Sequence, residues 1–143
     1  MDDIISKLKD KDERAAYEYA KMIGAESAES DKYLKYVHDF SNMLEDSNSY
    51  VRARAFFLIC NQARWANDGQ IMEVFERMSS LLYDSKPTVV RQCLGALHEV
   101  ILYRPEMADV ISEAVGRIDV NKYKDSMSPL IRRDIEALVA LIR

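Results

Sequence analysis

The chain has 143 residues, of which 48% are hydrophobic and 31% charged, and its formal net charge is −4. This length suits one folded domain, and the composition is too apolar for an intrinsically disordered chain. The acidic balance argues against nucleic-acid binding as the main function, because that function usually needs a dominant basic surface.

Apolar residues recur at spacings of three and four along nearly the whole chain, and only four glycines and three prolines interrupt the pattern. This periodicity predicts an all-α protein. In chain order, the expected helices span residues 2–9, 12–24, 30–45, 49–66, 69–83, 87–103, 105–119 and 128–142. They form four consecutive pairs.

A short motif recurs before the second helix of each pair. Its copies are Asp46-Ser-Asn-Ser-Tyr-Val-Arg52, Asp84-Ser-Lys-Pro-Thr-Val-Val-Arg91 and Asp125-Ser-Met-Ser-Pro-Leu-Ile-Arg132, with a degenerate copy from Asp10 to Arg14. Successive aspartates are 36, 38 and 41 residues apart, at or near the period of helical-pair repeats. We therefore predict a single domain, residues 1–143, whose repeats span about 1–27, 28–67, 68–104 and 105–143.

This motif resembles the turn of the HEAT repeat, in which an Asp, often a Pro, and then a Val-Arg pair open the second helix. The resemblance extends over the whole chain and is weakest in the first copy. It implies a right-handed α-α solenoid with the first helices on the convex side and the second helices on the concave side. It leaves function open, because HEAT arrays include scaffolds, transport factors and a few enzymes. Armadillo repeats are the near alternative, but the linkers leave little room for their third helix.

The motif residues have structural explanations. Asp or Ser side chains accept hydrogen bonds from free amides at a helix start, and Pro87 and Pro129 fit the first helical turn. The resemblance further implies that turn aspartates and the following arginines pair between neighbouring repeats. The residues of this expected structural ladder are Asp46, Asp84, Asp125, Arg52, Arg91 and Arg132.

The second helices carry apolar stripes that are typical of a buried layer. In the third copy the stripe consists of Val89, Cys93, Ala96, Leu97 and Val100. In the last copy Asp134 takes the position of Cys93, while a shifted stripe from Ile131 to Ile142 stays apolar. We interpret Asp134 as the polar outer flank of a terminal repeat, which would make the array complete.

Charge differs between the two sets of helices. Segments 68–84 and 105–119 are acidic, whereas segments 47–66 and 86–104 are basic. With the second helices on the concave side, this distribution predicts an acidic convex side and a mildly basic groove that suits an acidic partner. The alternative is that an acidic neighbour across its own helical pair neutralises each arginine.

The two cysteines, Cys60 and Cys93, lie in apolar runs without a paired or CxxC arrangement, and the N-terminus has no apolar signal segment. These features favour a reducing environment and a cytoplasmic protein. The longest uncharged stretches are far shorter than the roughly 20 residues that span a bilayer. We expect no membrane association.

His98-Glu99 resembles the His-Glu pairs that hold a di-iron centre in the HEAT-like deoxyhypusine hydroxylases. This chain has a single such pair, and its other histidine, His38, lies on a different predicted helix. Two imidazoles without a defined ligand spacing are a weak metal signal. A packed or surface histidine is the favoured interpretation, and we expect neither a metal nor a cofactor.

Two aromatic groups are also candidates for binding. Arg64-Trp65, with Asp68 nearby, resembles the aromatic and acidic residues on the concave face of the HEAT-like alkylpurine DNA glycosylases, although packing at an edge is favoured for Trp65. A second group in the first two repeats contains Tyr17, Tyr19, Tyr33, Tyr36 and Phe40. Packing between helices is favoured for this group over an exposed patch.

The sequence contains no Ser-His-Asp order, phosphate-binding glycine loop or HExxH motif, so we predict no enzyme activity. The leading hypothesis is a non-catalytic scaffold or adaptor that binds a protein or peptide along the second-helix groove. The candidate contacts are Arg54, Arg64, Trp65, Arg91 and Arg133. One alternative is a nucleic-acid binder related to the HEAT-like glycosylases. The other is an accessory subunit of a larger enzyme, marked by an exposed apolar patch near Tyr33 and Tyr36.

Overall fold

A computed structural model describes residues 2–67 and 69–142, which form eight α-helices and no β-strand. The helices are α1 (Asp2–Leu8), α2 (Glu13–Ser27), α3 (Val37–Met43), α4 (Ser49–Asn61), α5 (Gln70–Ser79), α6 (Pro87–Tyr103), α7 (Ala108–Gly116) and α8 (Ser128–Ile142). Short 3-10 helices span Leu34–Tyr36, Ser80–Tyr83, Pro105–Met107 and Val120–Lys122. The predicted all-α solenoid fold is confirmed. None of the helices described is both long and apolar enough to cross a membrane.

The helices form two layers. In the layer of second helices, α2 packs against α4, α4 along α6, and α6 along α8. The first helix of each pair covers this layer from the other side, with α3 on α4 and α7 on α8. Each inner helix therefore has neighbours on several sides, which explains why the sequence of α4 and α6 is apolar around so much of its circumference.

Helices α4 and α6 form the centre of the core. On α4 the buried stripe consists of Val51, Ala55, Leu58 and Ile59, and on α6 it consists of Val89, Cys93, Leu97 and Val100. Gln62, just after α4, is also fully buried, and its Nε2 donates to Ser27 Oγ at 3.0 Å. This hydrogen bond links the end of the second repeat to the end of α2.

The predicted ends of α6 and α8 agree with the structure, whereas the first helices of the pairs are shorter than expected. The segment predicted as helix 30–45 begins with the 3-10 helix Leu34–Tyr36, and the one predicted as 105–119 begins with Pro105–Met107. A 3-10 helix is tighter than an α-helix and frequently forms the first turn of one, as both of these segments do. The periodicity of apolar residues does not distinguish these short turns from α-helix.

The aspartate of the repeated motif forms the turn that precedes the second helix. The carboxylates of Asp10, Asp46 and Asp84 each accept a hydrogen bond from the backbone N–H two residues later, at 2.8, 2.8 and 2.9 Å. The helix caps themselves are Asp12 for α2 and Asn48 for α4. A local carboxylate–amide bond favours a turn over a helix. Each aspartate therefore stabilises the turn before the second helix, and Asp10 of the degenerate first copy does so as well.

Ionic contacts join the first three of these turns. Lys9 Nζ lies 3.1 Å from Asp46 Oδ2, and Arg52 Nη2 lies 2.9 Å from Asp84 Oδ2. Arg52 also donates from Nη1 to the backbone oxygens of Asp46 and Ser47. The hydrogen bond from the Asn48 N–H, together with Lys9 and Arg52, lowers the pKa of Asp46. A basic side chain of one repeat thus binds the turn of the next.

The interpretation of Asp134 as an outer flank is wrong. Its carboxylate faces the third repeat, where Arg91 Nε donates to Asp134 Oδ2 at 2.7 Å. Arg91 therefore does not form the expected contact with Asp125, which lies before α8 and is exposed. Arg91 and Asp134 both lie in the second turn of their helices, so the side-by-side packing of α6 and α8 brings them to the same level. Within the described part of the chain, Asp125 and Arg132 form no ion pair.

Candidate functional site: a groove between the second helices

The second helices α2, α4 and α6 enclose an open groove of about 780 Å³. Small residues lie at its base: Ala20 on α2, Ala53 on α4, and Gly95 and Ala96 on α6. Ala20 and Ala53 are buried, whereas Gly95 is exposed. Because these residues carry little or no side chain, another molecule would be able to approach the helix backbones closely.

Three aromatic rings line the same groove. Tyr17 of α2 is 55% exposed, and Tyr50 and Phe57 of α4 are 61% and 37% exposed. Tyr50, Ala53 and Phe57 follow one another at i, i+3 and i+7, on the side of α4 away from its buried stripe. The groove is therefore apolar along α4 even though this face points to solvent.

The ring of Phe57 is held close to α2 by a glycine. A Cβ atom at Gly24 would lie 3.0 Å from Phe57 Cζ and 3.2 Å from Asn61 Nδ2, so any side chain there would displace one of them. A Cβ atom at Gly95 would meet no atom within 4 Å, which shows that Gly95 faces open space. Gly24 makes room for the Phe57 ring at the wall of the groove, and Gly95 leaves the base of the groove uncovered.

Arg54, one of the predicted partner contacts, is a packing residue in this structure. Its side chain is only 7% exposed, its Nη1 donates to the backbone oxygen of Leu8 at 2.8 Å, and its Nη2 is paired with Glu13. Helix α4 thereby holds both helices of the first repeat. The positive charge of Arg54 is already matched by a carboxylate at the edge of the groove.

Arg64, a second predicted contact, also has its charge matched. Its Nη2 lies 3.6 Å from Glu99 Oε2, its guanidinium lies 4.4 Å from the centroid of the Tyr103 ring, and its Nη1 donates to the backbone oxygen of Ala28 at 3.1 Å. Burial raises the pKa of Glu99, and Arg64 opposes that increase. Arg64 therefore links the segment just after α2 to the third repeat.

Most of the predicted basic groove is thus internally neutralised, but not within the helical pairs. Arg54 pairs with the first repeat, Arg64 with the third, and Arg91 of the third repeat with Asp134 of the fourth. The acidic partners come from adjacent second helices, because these helices lie side by side in one layer. Arg133, the last predicted arginine contact, is exposed on α8, and among the residues described it forms no ion pair.

Trp65 lies in the turn after α4, at an edge of the fold. Its Nε1 donates to the backbone oxygen of Ser27 at 2.6 Å, and 37% of its side chain remains exposed. Asp68, the acid considered with it, lies outside the described residues.

His98 lines the groove and is half-buried, whereas His38 is exposed on α3. Over the ranges 2–67 and 69–142, no three His, Cys, Asp or Glu side chains are grouped as metal ligands would be.

The aromatic residues of the first two repeats separate into two environments. Tyr33, Tyr36 and Phe40 pack in sequence with ring centroids 6.3 Å apart, and the hydroxyl of Tyr33 donates to Glu26 at 2.6 Å. Tyr33 is buried and Tyr36 is half-buried, so these two rings do not form the exposed patch that would mark the accessory-subunit alternative. Tyr19 is half-buried, and only Tyr17 reaches the groove.

The sequence pattern did not single out Tyr50, Phe57 and Gly95 as groove residues. The signal was a second apolar stripe on α4, formed by Tyr50, Ala53 and Phe57, opposite the core stripe. Such a stripe on a helix that is already buried on one side indicates a second contact surface.

Comparison with known families matches residues 22–128 to the Cnd1 family, described as non-SMC mitotic condensation complex subunit 1. No curated protein and no solved structure matches the chain. The match begins in α2 and ends at the start of α8, so it covers most of the repeat array. It supports the HEAT-like helical repeats, and the family consists of non-catalytic subunits, in agreement with the prediction that the chain is not an enzyme. The chain therefore belongs to the family of non-SMC mitotic condensation complex subunit 1.

Proposed function

We propose that this chain acts as a scaffold subunit that holds a segment of a partner protein in the groove between α2, α4 and α6. The observation that carries the proposal is the exposure of three aromatic rings, Tyr17, Tyr50 and Phe57, around a base of small residues. Exposed apolar surface gathered in one concave place is typical of a binding site for another molecule. Membership of a family of complex subunits supports a protein as that molecule.

Nucleic acid is less favoured as the occupant. Arg54, Arg64 and Arg91, which were predicted to contact a protein or peptide in a basic groove, each have a carboxylate partner within the protein. Binding to a nucleic acid depends on unmatched cations that displace counterions, and the net charge of the chain is −4.

A cytoplasmic location stays a prediction, supported by the presence of two free buried cysteines.

Filling the groove tests the proposal. In Gly95→Leu the new side chain begins in open space and projects over the base of the groove, so it should block a partner without disturbing the core. Gly116→Leu is the matched control, because Gly116 is an exposed glycine of α7, in the other layer, and a Cβ atom there also meets nothing within 4 Å. Circular dichroism would verify that both variants are folded.

The readout is quantitative mass spectrometry of proteins that co-purify with the chain from its native host. We expect at least one partner to fall by about tenfold or more with Gly95→Leu, which corresponds to about 1.4 kcal/mol of binding free energy, and to be retained with Gly116→Leu. Tyr50→Ala should weaken the same partner. If both glycine variants retain every partner of the wild type, the groove is not the docking site.

A further inference from the structure

The positive charge that is available to a ligand in the groove is not carried by the arginines of the basic segments 47–66 and 86–104. Among its charged lining residues, Glu13 is paired with Arg54, and Glu99 is paired with Arg64 from just outside the groove. Two cations remain, both on α2. Arg14 is exposed and, within the described ranges, forms no ion pair.

Lys21, the second cation, is only loosely matched. Its Nζ lies 3.9 Å from Glu18 Oε2, and both side chains are more than half exposed. Ion pairs of this kind contribute little, so the ammonium group stays available to another carboxylate. Lys21 Nζ also lies 5.3 Å from the centroid of the Tyr17 ring, which places cation and ring together at the same wall.

These residues give the groove two different edges. Arg14, Tyr17 and Lys21 lie at i, i+3 and i+7 on α2, so cation, ring and cation follow one another along one edge. On the opposite edge, α6 presents Gln92 and the half-buried His98. The base between the two edges is apolar.

Building on the function proposed above, we infer that the segment held in this groove has apolar anchor side chains and carries carboxylates on the side that faces α2. The anchors cover the aromatic rings, and the carboxylates complement the two cations that none of the described carboxylates holds tightly. A polyanion such as a nucleic acid fits less well, because Glu18 lies 3.9 Å from Lys21 and Glu13 and Glu99 line the groove, so a continuous run of phosphates would meet carboxylates.

The test is a selection from a displayed library of random peptides of about 12 residues, a length that is sufficient for groove recognition, on the full chain. Peptides that bind the wild type and Gly116→Leu, but not Gly95→Leu, are groove ligands. We expect these peptides to combine aliphatic or aromatic residues with Asp or Glu. Their affinities are then measured by fluorescence anisotropy at low and high salt.

Charge reversal on α2 separates the inference from the proposed function. Arg14→Glu with Lys21→Glu should weaken the selected peptides by about tenfold, as two exposed ion pairs become repulsive. Lys124→Glu with Arg132→Glu makes the same charge change in the fourth repeat, at two exposed residues away from the lining of the groove, and should alter affinity by less than about twofold. The difference between the two double variants should shrink at high salt, because these charges are solvent-exposed.

The outcomes are distinguishable. Groove ligands that are neutral or basic, or that tolerate the reversal at Arg14 and Lys21, would overturn the inference and leave the proposed function intact. A selection that yields no peptide sensitive to Gly95→Leu would overturn both. A single-stranded DNA oligonucleotide that competes with the selected peptides at physiological salt would also contradict the inference, because it would assign the two cations to phosphates.

Discussion

The same substitution at two glycines should have opposite effects on stability. Gly24 and Gly95 both lie inside second helices, α2 and α6, and neither has a positive φ. Alanine therefore fits both backbones without strain. Glycine inside a helix costs about 0.5–1 kcal/mol relative to alanine, so each Gly→Ala change starts from a gain of that size.

The surroundings of the new methyl group decide the outcome. At Gly95 the Cβ atom meets nothing within 4 Å, so Gly95→Ala should raise the free energy of unfolding by the full amount, about 0.5–1 kcal/mol. At Gly24 the Cβ atom would lie 3.0 Å from Phe57 Cζ and 3.2 Å from Asn61 Nδ2. Overpacking of this kind costs about 1–3 kcal/mol. Gly24→Ala should therefore be neutral or destabilising, and the two variants should differ by about 1–3 kcal/mol.

Urea unfolding followed by circular dichroism would measure both variants against the wild type. A third measurement isolates the contact with the ring: in a Phe57→Ala background only the 3.2 Å approach to Asn61 Nδ2 remains, so Gly24→Ala should regain part of the stabilisation seen at Gly95. If Gly24→Ala stabilises the protein as much as Gly95→Ala does, Phe57 is not held against α2. The wall of the groove would then differ from the one described above.

Three further experiments test the packing of the array. Arg54→Ala should lower the free energy of unfolding by about 2–3 kcal/mol, because charge-assisted hydrogen bonds are lost, and hydrogen exchange should rise around Leu8; an equal rise in α8 would contradict this. Burial raises the pKa of Glu99, so its ionised form opposes folding, and the wild type should gain stability relative to Glu99→Gln as the pH falls from about 7 towards about 4.3. Urea midpoints that do not diverge with pH would refute that reasoning. Burial also raises the thiol pKa of Cys60 and Cys93, so a thiol-specific reagent should modify them only at the rate of unfolding, and rapid modification of the native protein would show that the core is open.

The architecture of this protein is readable from the sequence because it rests on local information. The spacing of apolar residues and the motif that begins at Asp46, Asp84 and Asp125 predicted eight helices in four repeats, and α6 and α8 have the predicted ends. Each repeat encodes its own turn and its own buried stripe within about 40 residues. Such signals survive without any knowledge of long-range contacts.

Which charges of the groove are paired depends on the tertiary structure. From the sequence alone, Arg54 and Arg64 are as available to a partner as Arg14. In the structure, the packing of neighbouring second helices buries Arg54 against Glu13 and places Arg64 beside Glu99. Each of these pairs joins residues at least 35 positions apart, as the sequence numbers show. Sequence spacing cannot indicate which charges meet across a layer of helices, because that depends on the register at which the repeats stack.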